Sequence, residues 1–298
     1  MAEILNNKNL DRSPRQPRRV AIQGVAGCWH DAAARSAFPA DEVIPVEADT
    51  FEDLFDMMAA DASLVAVVAI ENTIAGALMQ NHELLRMSNL RVVGEVKKRI
   101  SHSLAALPGQ SLEDIGEVWS HPIALMQCER YLRSHPSMKK IEHHDTAGSA
   151  REIAERRLSG RASVCSRLAA ELYGLEILAD GIETNKRNFT RFLILADPLV
   201  AGELSVPESE VNKASIVFTL PHEKGALSKI LTILSFYDIN LSKIQSSPIV
   251  GREWEYRFYV DLTFDSLVRY HQSIDAIRPL LGDFKIFGEY KETPTPEQ

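Results

Sequence analysis

From residue 19 to about residue 196 short apolar runs alternate with helical patterns, and this alternation restricts the chain to layers of strands and helices. Residues 19–23 form the first run, followed by a turn from Gly24 to Gly27 and a helical stretch from about Asp31. Residues 63–70 are nearly all apolar, as expected of a strand covered on both faces. Residues 117–119 lead into Ser120-His121-Pro122 and a helix through Leu132; a proline is well placed in a first helical turn, where its missing N–H would have no partner. Asp145-Thr146-Ala147 opens another helix, with Asp145 or Thr146 as its cap, and residues 161–165 form a further strand. The pattern predicts an α/β fold of mostly parallel strands, and the length fits two lobes with a cleft between them.

After residue 198 the pattern changes. Residues 199–211 are polar, hold a proline and show no period, which predicts a linker. Residues 212–291 then read strand, helix, strand, strand, helix, strand, the ferredoxin-like βαββαβ order. Residues 1–18, with Arg15 and Arg18 in a proline-containing stretch, are expected to be a disordered tail.

Bulk composition removes several classes of function. A net charge of -8 gives no general attraction to nucleic acid or to an anionic membrane. No apolar run is long enough for a signal peptide or membrane helix. Cys28, Cys128 and Cys165 lie far apart, which predicts a reducing compartment and no structural zinc; the expected location is cytoplasmic. Adjacent His143 and His144 cannot easily face one metal, so no metal site is assigned to them.

Four segments carry polar groups suited to chemistry. Asn188-Phe189-Thr190-Arg191-Phe192 sets a hydroxyl beside a guanidinium between two aromatics, at the mouth of a buried strand. A hydroxyl can protonate a leaving oxygen and a fixed cation can hold a carboxylate. Asn72 and Thr73 follow the apolar strand and offer an amide and a hydroxyl, or else cap the next element. Ser120 sits at a helix start, as donor or as plain cap, with His121 and Gln127 nearby. The turn Gly24-Val25-Ala26-Gly27, followed by Cys28, precedes a helix whose free N–H groups suit an anion, although a GxxG alone is more often a tight turn.

Taken in order, these segments resemble prephenate dehydratases. Glu71-Asn72-Thr73 resembles the family's Glu-Asn-Ser, Ser120-His121-Pro122 with Gln127 and Cys128 resembles its Ser-His-Pro-Gln-Ala-Leu-x-Gln-Cys, and Thr190-Arg191-Phe192 is intact. In the glycine loop Cys28 and His30 replace hydroxyl residues. The C-terminal unit resembles ACT domains, small amino-acid-binding regulatory modules, through Gly225-Ala226-Leu227 and through Gln245, Ser246 and Pro248, with Gln245 and Ser247 replacing a glutamate and an arginine.

The resemblance implies a two-lobed catalytic domain of the type 2 periplasmic-binding-protein-like fold over 19–198 and an ACT domain over 212–291. It implies decarboxylating dehydration of prephenate to phenylpyruvate with no cofactor and no metal, feedback by L-phenylalanine, and a homodimer or homotetramer. Thr190 is the expected proton donor. Asn72, Thr73, Ser120, His121, Gln127, Arg191, Phe192, Gly24, Gly27 and Cys28 are the expected substrate contacts. Arogenate is the rival substrate, and a non-catalytic amino-acid sensor the rival class; the intact Thr190-Arg191-Phe192 speaks against the sensor.

Overall fold

The computed structural model describes residues 17–295; most of the tail expected over 1–18 lies outside the described residues. The first lobe runs β1 (Arg18–Gln23), α1 (Trp29–Ala37), β2 (Val43–Ala48), α2 (Phe51–Ala60), β3 (Val65–Asn72), β4 (Gly76–Ala77), α3 (Met79–Met87) and β5 (Arg91–Arg99). The chain then crosses into a second lobe of β6 (Ser103–Ala106), β7 (Glu117–Ser120), α4 (Pro122–Gln127), α5 (Glu129–Arg133), β8 (Lys139–Glu142), α6 (Thr146–Glu155), β9 (Arg161–Cys165), α7 (Arg167–Leu172) and β10 (Glu176–Ala179). It returns through β11 (Phe189–Ala196) and α8 (Pro198–Leu204). The C-terminal unit is β12 (Lys213–Thr219), α9 (Ala226–Phe236), β13 (Asn240–Pro248), β14 (Tyr256–Thr263), α10 (Leu267–Ile277) and β15 (Phe284–Tyr290).

Each lobe is a sheet with helices on both faces, an α/β unit as the alternation predicts, but the strands are not mostly parallel. The first sheet is ordered β2-β1-β3-β11-β5, with β4 on β3. β1 is parallel to β2 and β3, whereas β11 is antiparallel to both β3 and β5. The second is ordered β10-β6-β9-β7-β8, with β7 parallel to β8 and β9 and with β6 antiparallel to β9 and β10. The two crossings explain the mixture. β11 re-enters the first sheet from the other lobe, and so runs against its neighbours.

The expected linker is not irregular throughout. Asp197 caps α8 by accepting from the Leu199 N–H, and Pro198 opens the helix where its missing N–H costs nothing. The C-terminal sheet is fully antiparallel, ordered β13-β14-β12-β15, with α9 and α10 packed through Ile230, Leu234, Tyr270 and Ile274. That is the ferredoxin-like topology. This unit also shares a core with the first lobe, where Tyr259, Phe287 and Tyr290 pack with Leu85, Val92 and Leu193.

Candidate active site

A cavity of about 310 Å³ opens between the lobes. Residues from the first lobe and from β11 meet residues from α4 and the start of α6 in its wall. Thr190 and Phe192 share one face of β11, as side chains two apart on a strand must, and both reach the cavity. Asn72 at the end of β3 lies directly opposite Thr190 in the ladder.

A chain of amides fixes the direction of every hydrogen bond here. Asn72 Oδ1 accepts from the N–H groups of Ile74 and Ala75, each at 2.9 Å, so its Nδ2 must be the donor. That nitrogen donates to Thr190 Oγ1 at 2.9 Å and to Asn188 Oδ1 at 2.8 Å. Asn188 Nδ2 then donates to Gln127 Oε1 at 3.1 Å, which leaves that oxygen to accept from His102 Nε2 at 2.9 Å. His102 therefore carries its proton on Nε2; burial lowers its pKa and it is neutral. Since Thr190 Oγ1 already accepts from Asn72, its own proton has no protein acceptor among the described residues and is free for a ligand. Asn188 and His102 lie on the two crossings and Gln127 lies on α4, so the chain couples both lobes to Thr190.

Aromatic rings pack against one another along the wall. His30 stands edge-on to Phe192 at 5.2 Å, and its Nε2 accepts from the Ala69 N–H. Burial pushes its pKa down to about 4. Trp29 stands edge-on to His102 at 5.9 Å. The Trp29 indole N–H and His102 Nδ1 are both buried without a partner among the described residues, one a donor and one an acceptor. Burial, then the charge of Asp145, pushes the Cys28 thiol far up, so it is no nucleophile at neutral pH. Among the described residues no group of three or more His, Cys, Asp or Glu is arranged to hold a metal ion, and no helix is long and apolar enough to cross a membrane.

The expected site residues divide. Thr190, Asn72, His121, Gln127, Phe192 and Cys28 line the cavity. Arg191 does not, which corrects its assignment as a carboxylate anchor. Strand alternation turns it to the opposite face, where it is 6% exposed and bound to Glu71 at 2.6 Å, to Glu95 at 3.1 Å and to Asp261 of the C-terminal unit. Ser120 is also turned away: its Oγ donates to the Val164 carbonyl, tying β7 toward β9. Thr73 Oγ1 donates to the Arg187 carbonyl and accepts from the Phe189 N–H, a brace between β3 and the returning crossing.

Gly24 and Gly27 shape the cavity edge without lining it. Gly27 has φ +86°, and a Cβ there would come within 2.9 Å of the Ala169 Cα, so the residue lets the first lobe touch α7 of the second. The effector candidates Gly225, Ala226 and Leu227 lie at the start of α9, and Gln245, Ser246 and Pro248 lie on the edge strand β13. Sequence reading missed Trp29, His102, His144 and Asp145 as cavity residues. Asp145 was visible only as a helix cap, which it also is, accepting from the Gly148 N–H.

Comparison with known proteins gives these features a context. A family profile described as prephenate dehydratase matches residues 20–198. Arogenate dehydratase 5, chloroplastic, from Arabidopsis thaliana is 38% identical over 298 residues, covering 93% of this chain and 68% of its own length. A solved structure of prephenate dehydratase in complex with L-Phe from Arthrobacter aurescens is 26% identical, with a TM-score of 0.80 over 92% of this chain and 90% of that one. Another, GqqA, described as a novel type of quorum quenching acylase, is 28% identical, with a TM-score of 0.81 over 93% and 99%. The expected cytoplasmic location is overturned by the plant relative, which is chloroplastic.

Proposed function

The chain belongs to the prephenate dehydratase family, a family of lyase-type dehydratases of phenylalanine biosynthesis, and from that premise we propose the chemistry of its cavity. The reaction is the decarboxylating dehydration of a cyclohexadienol, either prephenate or its amino counterpart arogenate, with Thr190 as the proton donor. The ring carboxylate leaves as carbon dioxide, its bonding pair enters the ring, and the opposite C–O bond breaks. The departing hydroxyl takes a proton and leaves as water, and Thr190 is reprotonated from solvent. Aromatisation supplies the driving force.

A neutral hydroxyl is a feeble acid, so donation must be concerted with C–O cleavage. The observation that carries this reading is the Asn72 bond to Thr190 Oγ1. It aims the hydroxyl proton at the cavity and steadies the negative charge that builds on Oγ1 as the proton departs. Phe192 and Trp29 keep water from the developing charges. The unpartnered Trp29 N–H offers a donor to a carboxylate or keto oxygen, and His102 Nδ1 an acceptor to the ring hydroxyl. Amide hydrolysis would instead ask for a nucleophile beside a base, whereas Ser120 is bonded to a carbonyl in the core and the Cys28 thiol is held protonated.

In this reading the C-terminal unit is an ACT domain that senses phenylalanine between α9 and β13. The ferredoxin-like topology and the L-Phe complex of the Arthrobacter aurescens enzyme support this. The exposed Phe236, Ile244 and Tyr256 support a homodimer or homotetramer built through this unit. The test is to incubate purified protein with prephenate and with arogenate, with and without phenylalanine, and to follow phenylpyruvate and phenylalanine formation. Turnover of at least one substrate, lowered by phenylalanine, is expected; turnover of neither would overturn the reading.

A further inference from the structure

Asp145 is the only aspartate, glutamate, lysine or arginine among the residues that line the cavity. One of its carboxylate oxygens is taken by the Gly148 N–H at the start of α6. The other lies over the glycine turn of the first lobe, 2.8 Å from where a Cβ on Gly24 would stand, and no side chain among the described residues donates to it. Burial raises its pKa, against the N–H groups of α6 and the nearby histidines. The groups around it that could carry a compensating charge are His121, His143 and His144, each charged only when protonated; Cys28 and Tyr173 feel it as a negative neighbour.

A lone carboxylate in a cavity without a lysine or arginine is complementary to a ligand cation and repels a ligand anion. The two substrates consistent with the dehydratase reading differ at this point. Both carry two carboxylates, but the side chain of prephenate ends in a keto acid and that of arogenate in an α-amino acid, with an ammonium group. We infer that Asp145 is a specificity-determining residue: its free oxygen receives the side-chain ammonium of arogenate and disfavours the keto acid. Thr190 acts on the ring hydroxyl while Asp145, from the opposing lobe, reads the side chain. A substrate is then held at both ends of the cavity. This inference rests on the dehydratase reading and goes beyond it.

The test compares kcat/KM for arogenate and prephenate in the parent enzyme, in Asp145→Asn and in Asp145→Ser. Both replacements keep a cap for α6 and remove the charge. The parent is expected to favour arogenate. In both variants arogenate kcat/KM is expected to fall by at least about tenfold while prephenate kcat/KM rises, so that the ratio moves by more than either rate. Equal losses on both substrates, an unmoved ratio in variants that melt like the parent, or a parent that prefers prephenate would each overturn the assignment of Asp145 and leave the dehydratase reading standing. A parent that turns over neither substrate would overturn both.

Discussion

Asn72 decides which way the Thr190 hydroxyl points. Its Oδ1 is held by two backbone N–H groups, so only its N–H side faces Thr190. In Asn72→Asp the shape survives but the donor becomes a second acceptor, and the Thr190 proton turns toward the aspartate and away from the substrate. We expect kcat to fall by about a hundredfold or more with KM changed little, measured by steady-state turnover. A near-parental kcat would show that the direction of this bond is irrelevant. Thr190 and Asn72 were legible as cavity residues because their motifs place polar groups at strand ends, and Gln127, the last residue of α4, only through the resemblance of its segment to the family's. Arg191 was not. Its neighbour on the strand faces the cavity, whereas its own partner Asp261 lies 70 residues further along the chain, a distance that no local pattern encodes. His102 is buried and lines the cavity, and only the two crossings bring it beside Gln127.

At the scale of elements, β15 docks against β5 by direct backbone approach. A Cβ on Gly288 would fall 1.9 Å from the Val92 carbonyl oxygen, so no other residue fits without moving a strand. Arg91 Nη1 donates to the Ile286 carbonyl in the same seam. Gly288→Ala is expected to lower Tm by several degrees, since overpacking costs about 1–3 kcal/mol and the backbone here has no slack; thermal unfolding measures it. An unchanged Tm would mean that the seam is loose. The strands and helices themselves were readable from hydrophobic period. Strand direction was not, because the antiparallel entry of β11 follows from crossing between lobes. The short α8 escaped because about two turns carry too little period, although Asp197-Pro198 is a sound helix-start signal.

Across the whole molecule the C-terminal unit and the catalytic lobe are joined by buried ions as well as by apolar contact. Burial acts to raise the Asp261 carboxyl, but Arg191, then Ser215, Lys243 and Lys213, hold it below the ordinary range. Lys243 also reaches Glu71 at 3.0 Å and His82 at 3.0 Å. Burial, and then Lys243, pushes His82 down to about 4, and burial alone brings His30 to the same value. Unfolded histidines titrate near pH ~6.5, so the stability these two contribute is complete above that pH and is lost as pH falls toward about 4. His102 and His121 add in the same direction. Tm should be level above pH 7 and fall between pH 6.5 and 4, with a shallower fall in His82→Gln; a level Tm across that window would contradict the neutral buried histidines. The most direct measurement is single-turnover product formation in Thr190→Ala and Thr190→Ser, each saturated with whichever substrate the parent prefers. A drop of about a hundredfold or more in alanine, with most of the rate kept in serine, is the predicted result. An alanine enzyme running at the parental rate would remove Thr190 as the donor.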